Sequence, residues 1–297
     1  MKYPLSILLI GISYLTACSS SPDSHFPRYS DFPKTKALSA RVINLDTILF
    51  RYPFRVAVRD SIAVVMDLHN MDHYLHAFTY PGWKHIASFG KRGEAPQEML
   101  SAISIQFNSL DSLWAIDANK MEITRWKISP ATGSAERVEE IKLDKELVRS
   151  LDFHTMESGF FIPDYMGEFR YWEVDSNGKP VKSIGEIPGE TIDENTVRPA
   201  LAQAWRSFMD YNPDNGILTI ATQLGEVFEI FNLKDNTHKV LYGPAGEPQY
   251  KTAKDGTGVP TGIMGFSDIK VTNKYIYAVF QGIKFDDKIA AIKQGKE

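Results

Sequence analysis

Hydrophobic positions along the chain occur in short runs rather than at helical spacing. The runs are rich in β-branched, aromatic and aliphatic residues and are bounded by Gly, Asn, Asp and Pro, which is typical of β-strands. Several runs show no polar alternation, as expected for strands that are buried on both faces. The clearest are residues 62–66, 113–116, 160–162, 217–220 and 275–280. One helix is predicted, over residues 196–205, and it should be short because Pro199 restricts its length.

The apolar runs recur as the second strand of a repeating unit. Each follows a polar turn and a first strand, and all but the last precede a third strand with aromatic residues and a weaker fourth strand. The runs begin 47–58 residues apart, at Ile62, Leu113, Phe160, Ile217 and Tyr275. Four-stranded units at this interval predict an all-β fold, a β-propeller, in which neighbouring blades bury each other's faces. A β-sandwich would lack the long period, and a β-helix would have a shorter one.

The predicted blade ends share a sequence pattern. Residues 89–97 (FGKRGEAPQ) and 242–249 (YGPAGEPQ) carry an aromatic residue, Gly, and then Gly, Glu and Pro. Gly permits positive φ and Pro fixes an extended step, which suits a chain that turns from an outer strand toward the channel axis.

The first of these stretches resembles the motif F-G-x-x-G-x-G-P-x-E-F of TolB-like six-bladed β-propeller lipoproteins of the Bacteroides type. Ala95 and Met99 depart from the motif. The matching positions are Phe89, Gly90, Gly93, Pro96 and Glu98. The resemblance covers most of residues 40–285. It implies the propeller fold and implies no particular activity.

About five blades are visible, one fewer than in that family. The fifth unit ends abruptly after segments at residues 268–271, 275–280 and 288–293, and residues 40–49 (ARVINLDTIL) form a spare strand at the start. Either the ring has five blades and the spare strand pairs onto the fifth, or the chain is a six-bladed member that is short at its C-terminus. The second interpretation, slightly favoured, leaves an open strand edge.

The N-terminus carries an export signal. Residues 5–15 are apolar but too short for a membrane-spanning helix, which needs about 20 residues, and they suit a signal peptide. The sequence Leu15-Thr16-Ala17-Cys18 resembles a bacterial lipobox, and Cys18 is the only cysteine of the chain. We predict a signal peptide over residues 1–17, a lipidated flexible tether over residues 18–39 and the propeller over residues 40–297. Ser19 after the cysteine favours the outer membrane, on either its periplasmic or its surface side.

Composition and motifs exclude several functions. The net charge of −4 argues against nucleic-acid binding, which requires clustered basic residues. Nucleophile, zinc-protease and nucleotide-binding motifs are absent from the sequence, so neither a catalytic residue nor a cofactor is assigned.

The densest polar cluster, residues 67–76, holds three His and two Asp. In a strand His73 and His76 point to opposite faces, so we interpret the cluster as a solvated hairpin tip rather than a metal site.

Ligand binding is expected in the central channel, where the first strands of the blades meet. The polar candidates near these strands are Arg55, Ser104, Asp152, Ser207 and Asp268. The alternative is that these side chains only pack or bind channel water. We therefore predict an outer-membrane-anchored binding or scaffold module for a peptide, glycan or partner protein. The alternative function is a hydrolase or lyase with acidic and His residues at the channel mouth.

Overall fold

The protein, in a computed structural model, is described over residues 27–30, 34–45 and 48–295. Four antiparallel four-stranded sheets follow one another, which confirms the predicted propeller of four-stranded blades. Blade 1 comprises β1 (Pro53–Arg59), β2 (Ile62–Asp67), β3 (His73–Thr79) and β4 (His85–Lys91). Blade 2 comprises β5 (Ala102–Ser109), β6 (Ser112–Asp117), β7 (Glu122–Ser129) and β8 (Ser134–Lys142). Blade 3 comprises β9 (His154–Met156), β10 (Gly159–Pro163), β11 (Tyr171–Asp175) and β12 (Pro180–Ile184).

Helix α1 (Arg198–Ala204) precedes the fourth blade. It lies within the predicted helix, and Pro199 stands in its first turn, where the missing N–H has no intrahelical role. Blade 4 comprises β13 (Ser207–Asn212), β14 (Ile217–Thr222), β15 (Val227–Asn232) and β16 (Thr237–Tyr242). The remaining strands form two hairpins: β17 (Tyr250–Thr252) with β18 (Gly258–Pro260), and β19 (Ile263–Val271) with β20 (Ile276–Lys284).

The β19–β20 hairpin forms blade 5, which has two strands among the described residues. Residues 288–293, the last segment of the predicted fifth unit, do not belong to its sheet, because they lie in helix α2 (Phe285–Lys293). Asp286 and Asp287 occupy the first turn of α2 and Lys293 the last, so the charges complement the helix dipole. Two consecutive alanines also favour a helix over a strand.

The predicted spare strand over residues 40–49 does not form in its described part, residues 40–45 and 48–49. A strand requires a ladder partner, and this segment makes no backbone ladder, so Val42 and Leu49 stay exposed. Pairing occurs elsewhere instead: Arg28 forms a parallel bridge with Tyr242, at the outer edge of blade 4.

The core lies between adjacent blades, which explains the apolar runs without alternation. All six residues of β2 and all six of β6 are buried. An aromatic contact joins each successive pair of blades, with ring centroids 5.2–6.0 Å apart, within the range that aromatic pairs prefer. The pairs are Phe89–Trp126, Trp114–Phe160, Tyr171–Phe231 and Phe228–Phe266.

The sequence predicts the first strand of blade 3 over residues 150–153, before the apolar run that begins at Phe160, but the strand that forms is β9 (His154–Met156). Side-chain hydrogen bonds hold the predicted segment outside the ladder: Ser150 Oγ donates to the Leu147 carbonyl at 2.9 Å, and the Asp152 carboxylate accepts from the Phe153 N–H at 3.0 Å. No helix among the described residues has the length and apolar character needed to cross a membrane.

Candidate functional site

The first strands of the five blades surround a central cavity of about 950 Å³. Each strand contributes residues from its C-terminal half. Residues 55–59, 104–108, 154–157, 209–214 and 268–271 line the cavity, together with Asp152. Because consecutive blades deliver equivalent positions to the same axis, residues far apart in the sequence meet here. This volume falls within the range of small-ligand sites, about 300–1,000 Å³.

Four of the five predicted residues line this cavity. The Arg55 guanidinium lies 3.4 Å from a carboxylate oxygen of Asp152 and 3.4 Å from one of Asp268. Ser104 donates its hydroxyl hydrogen to the other Asp152 oxygen at 2.6 Å. The side chains of Arg55 and Asp152 are 17% and 6% exposed, whereas that of Asp268 is 59% exposed. The cluster therefore has a buried part that is fixed and one carboxylate that is open to solvent.

Ser207, the fifth predicted residue, lies outside the central cavity. Its hydroxyl accepts a hydrogen bond from Arg170 Nη2 at 2.8 Å and donates one to the Trp205 carbonyl at 2.8 Å. Arg170 also donates to Glu229, 2.7 Å away. Both hydrogen-bonding roles of the serine are thus used in the contact between blades 3 and 4.

Sequence reasoning missed a second polar cluster in the cavity, around Asp210. One oxygen of Asp210 accepts from His154 Nε2 at 3.1 Å and from Lys270 Nζ at 2.7 Å, and the other accepts from the Val271 N–H at 2.6 Å. Burial acts to raise the pKa of Asp210, but the His154 hydrogen bond and the nearby positive charges outweigh it and hold the pKa below its usual value. Asp210 and Ser207 are three positions apart on β13 and point to opposite faces, so strand alternation could have identified Asp210.

Comparison with known proteins places this architecture in a family. The sequence profile of the TolB-like 6-blade propeller-like family matches residues 31–297. The chain belongs to this family. The resemblance drawn from residues 89–99 is thereby confirmed, and so is the fold.

Solved structures resemble this TolB-like propeller at low sequence identity. A candidate exported protein of Bacteroides fragilis is 13% identical, with a TM-score of 0.52 over 87% of this chain and 75% of that chain. A protein of unknown function from Bacteroides caccae is 11% identical, with a TM-score of 0.47 over 80% of this chain and 73% of that chain. No curated protein matches the sequence. Similarity at this level concerns the fold alone.

The polar cluster at residues 67–76 of this TolB-like propeller is only partly solvated, so the interpretation as a hairpin tip needs correction. His69 and Asp72 are exposed, but Asp67 and His76 are buried in β2 and β3. The Asp67 carboxylate accepts backbone N–H groups, which closes the turn. His76 Nδ1 lies 2.9 Å from Ser88 Oγ, and burial lowers the pKa of this histidine to about 4. Within the described ranges no group of three or more His, Cys, Asp or Glu residues converges as a metal site.

The chemistry that the central cavity offers to a reaction is limited. His154 Nδ1 faces the Thr155 carbonyl at 2.9 Å and Nε2 faces Asp210, so both ring nitrogens have acceptor partners. Both oxygens of Asp210 are also occupied. A general base requires a free position toward a substrate proton. His154 and Asp210 therefore hold each other and the Lys270 ammonium in place.

Proposed function

We propose that this TolB-like propeller is a lipid-anchored binding module of the cell envelope whose central cavity takes a polar segment of a peptide or glycan. Such a segment includes one presented by a partner protein. The observation that carries the proposal is the fixed guanidinium of Arg55 beside the exposed carboxylate of Asp268, in the wall of a cavity of about 950 Å³.

Arg55 is suited to recognition because its neighbours restrict its movement. The guanidinium lies 5.4 Å from the ring centre of Phe54 and 4.9 Å from that of Phe208, and Asp152 holds it from the buried side. A planar guanidinium presents several donors in a rigid fork, which matches carboxylates and paired hydroxyl groups. Its contact with Asp268 is exposed and therefore weak, so a ligand oxygen can replace that carboxylate at low cost.

Paired charges indicate what kind of ligand fits the cavity. Arg55 faces Asp152 and Asp268, and Lys270 faces Asp210, so cations and carboxylates alternate along the wall. A ligand of one charge would meet repulsion as well as attraction. Peptide and sugar segments carry both donors and acceptors and suit such a surface. His154 and Asp210 are engaged with each other, which favours binding over a hydrolase or lyase that would use this pair.

The location of the protein rests on sequence observations. Cys18 and its lipobox lie outside the described residues, and the lipid anchor to the outer membrane is part of the proposal. A candidate exported protein of Bacteroides fragilis shares the fold, which agrees with an envelope location. We expect Cys18→Ala to abolish incorporation of labelled fatty acid and to release the protein from the membrane fraction. Unchanged labelling in this variant would contradict the anchor.

The binding proposal is tested with a glycan array and a library of short peptides, applied to the purified chain in detergent. We expect ligands of one class to bind, and Arg55→Met to weaken their binding by about 10–100-fold, the usual effect of losing a hydrogen bond to a charged group. Lys179→Met is the matched control, because this exposed lysine pairs with Asp144 away from the cavity. Equal binding to the wild type and Arg55→Met, or no binding by either library, would overturn the proposal. Cleavage of a bound ligand would instead establish the enzyme.

A further inference from the structure

A second, smaller void of about 20 Å³ lies against the first strands at their N-terminal ends. Arg55 and Asp152 line both this void and the central cavity, so they form the wall between the two. Phe54, Ile103, Leu151 and Phe208 supply apolar surface. Four further polar residues complete the lining: Tyr165, Arg206, Gln223 and Ser207, whose hydroxyl is already bonded to Arg170 and the Trp205 carbonyl. We name this void the arginine chamber.

Donor groups without partners surround the arginine chamber. The side chains of Tyr165, Arg206 and Gln223 make no hydrogen bond or ion pair within the described ranges. The Nε atoms of Arg55 and Arg206 are fully buried and also lack a partner there. Buried donors in folded proteins are nearly always satisfied, because leaving one unpaired costs about 1–3 kcal/mol. The two buried Nε atoms, together with the half-buried side chains of Tyr165, Arg206 and Gln223 around one void, indicate that a bound species completes the site.

The charges around the arginine chamber determine the sign of that species. Arg206 has no carboxylate partner in the described part of the chain, whereas Asp152, the one carboxylate of the lining, is engaged by Arg55 and Ser104. Tyr165 adds a hydroxyl donor. Burial, together with the Asp152 charge, raises the pKa of this hydroxyl and keeps it protonated. The chamber therefore presents an uncompensated positive charge and neutral donors.

The size of the void limits the species further. A cavity needs roughly 10–15 Å³ of space for the centre of a water-sized sphere in order to hold one water molecule. At about 20 Å³, the arginine chamber holds one water-sized particle and excludes organic acids. We propose that the arginine chamber is a binding site for a small inorganic anion of the halide class, with chloride as its physiological occupant. This site shares Arg55 and Asp152 with the proposed peptide or glycan site, but the proposal of an anion does not rest on that function.

Bromide tests the proposal, because it replaces chloride and gives an anomalous X-ray signal. The purified chain is crystallised and soaked in sodium bromide. We expect an anomalous peak within hydrogen-bonding distance of Arg206 and Tyr165. An empty chamber, or one that holds water without anomalous signal, would overturn the proposal, and bromide found only on the surface would count against it in the same way.

Thermal unfolding gives an independent measurement in solution. Sodium chloride is compared at equal ionic strength with sodium gluconate, whose anion is too large for the void. A ligand at one hundred times its dissociation constant raises Tm by about 5–10 °C in a protein of this size, so we expect a chloride-specific rise. Arg206→Gln should abolish the rise, and Tyr165→Phe, which removes one donor and little volume, should reduce it.

Arg41→Gln is the matched control, because Arg41 is exposed, lies outside the strands and does not line the arginine chamber. This variant should retain the full chloride-specific rise in Tm. Equal melting temperatures in chloride and gluconate for the wild type, or a rise that persists in Arg206→Gln, would contradict the proposal. If Arg206→Gln does not fold, Tyr165→Phe and the bromide peak still decide the question.

Discussion

Removing the arginine from the buried ion pair between blades 3 and 4 should destabilise the protein strongly. Arg170 Nε lies 2.7 Å from Glu229 Oε1, and the two side chains are 3% and 0% exposed. The same guanidinium donates to the Trp205 carbonyl and to Ser207. In Arg170→Met the carboxylate of Glu229 stays buried, and within the described part of the chain it keeps only His238 as a side-chain partner, 3.2 Å away. Breaking such a pair costs about 3–5 kcal/mol, because the remaining charge is uncompensated.

A double variant separates the buried charge from the lost packing. If the cost comes from the isolated carboxylate, Arg170→Met combined with Glu229→Met should recover most of the stability, since apolar residues of similar volume often replace buried pairs without loss. Urea unfolding followed by tryptophan fluorescence measures the free energy of unfolding, and Trp205 beside Arg170 reports on this interface. Lys179→Met is the control: its pair with Asp144 has the same 2.7 Å separation but is exposed on the lysine side, and it should cost less than about 1 kcal/mol. A cost below about 1 kcal/mol for Arg170→Met, or a double variant as unstable as the single one, would refute the reasoning.

Three further changes test other parts of the fold. Gly178 has φ +78°, and a Cβ there would lie 2.1 Å from the Lys142 carbonyl oxygen, so Gly178→Ala should lower the free energy of unfolding in urea by more than about 2 kcal/mol. Gly246 is the control, because it has φ +64° but open space around it. Gly246→Ala should therefore cost only about 1 kcal/mol. The pKa of Asp210 is lower in the folded protein than in the unfolded chain, where it is about 4. The ionised carboxylate therefore stabilises the fold above about pH 4, and this contribution is lost as the pH falls through the pKa of the folded protein. Stability measured against pH should therefore show the wild type losing its advantage over Asp210→Asn in acid, and a constant difference would contradict this. Burial lowers the pKa of His76 to about 4 in the folded protein, whereas it is about 6.5 in the unfolded chain. The unfolded chain therefore takes up a proton first as the pH falls, and stability should decline from about pH 6.5 toward about pH 4. This decline should be weaker in His76→Phe.

Much of the fold could be predicted from the sequence because its repeating signal is local. The apolar runs that begin at Ile62 and Leu113 became β2 and β6, which are buried on both faces as their composition predicts. The prediction that Pro199 keeps α1 short is confirmed, because proline constrains the backbone only within the neighbouring turn. The residues of the export signal, including Cys18, act through a short linear motif, so the lipid anchor stays a prediction from sequence alone.

Errors arose where distant contacts decide the outcome. The segment at residues 288–293 has apolar residues that suit either a strand or a helix, and no neighbouring strand pairs with it, so it forms α2. The first strand of blade 3 was displaced because Asp152 uses its carboxylate on Ser104, 48 positions away, and on its own neighbour's N–H. Neither partner is visible from local propensity.

The amino-acid sequence by itself determined the all-β class, the four-stranded repeat and the family motif around Phe89, because each depends on patterns within a few dozen residues. Only the tertiary structure decided which polar groups share the central cavity. Arg55 meets Asp152 across 97 positions and Asp268 across 213, and these separations close only when five blades pack around one axis. The same packing placed Ser207 in a blade contact and left the Arg206 guanidinium beside a void, without a partner among the described residues. Such juxtapositions arise from the angle and register of whole sheets, which short-range sequence patterns do not encode.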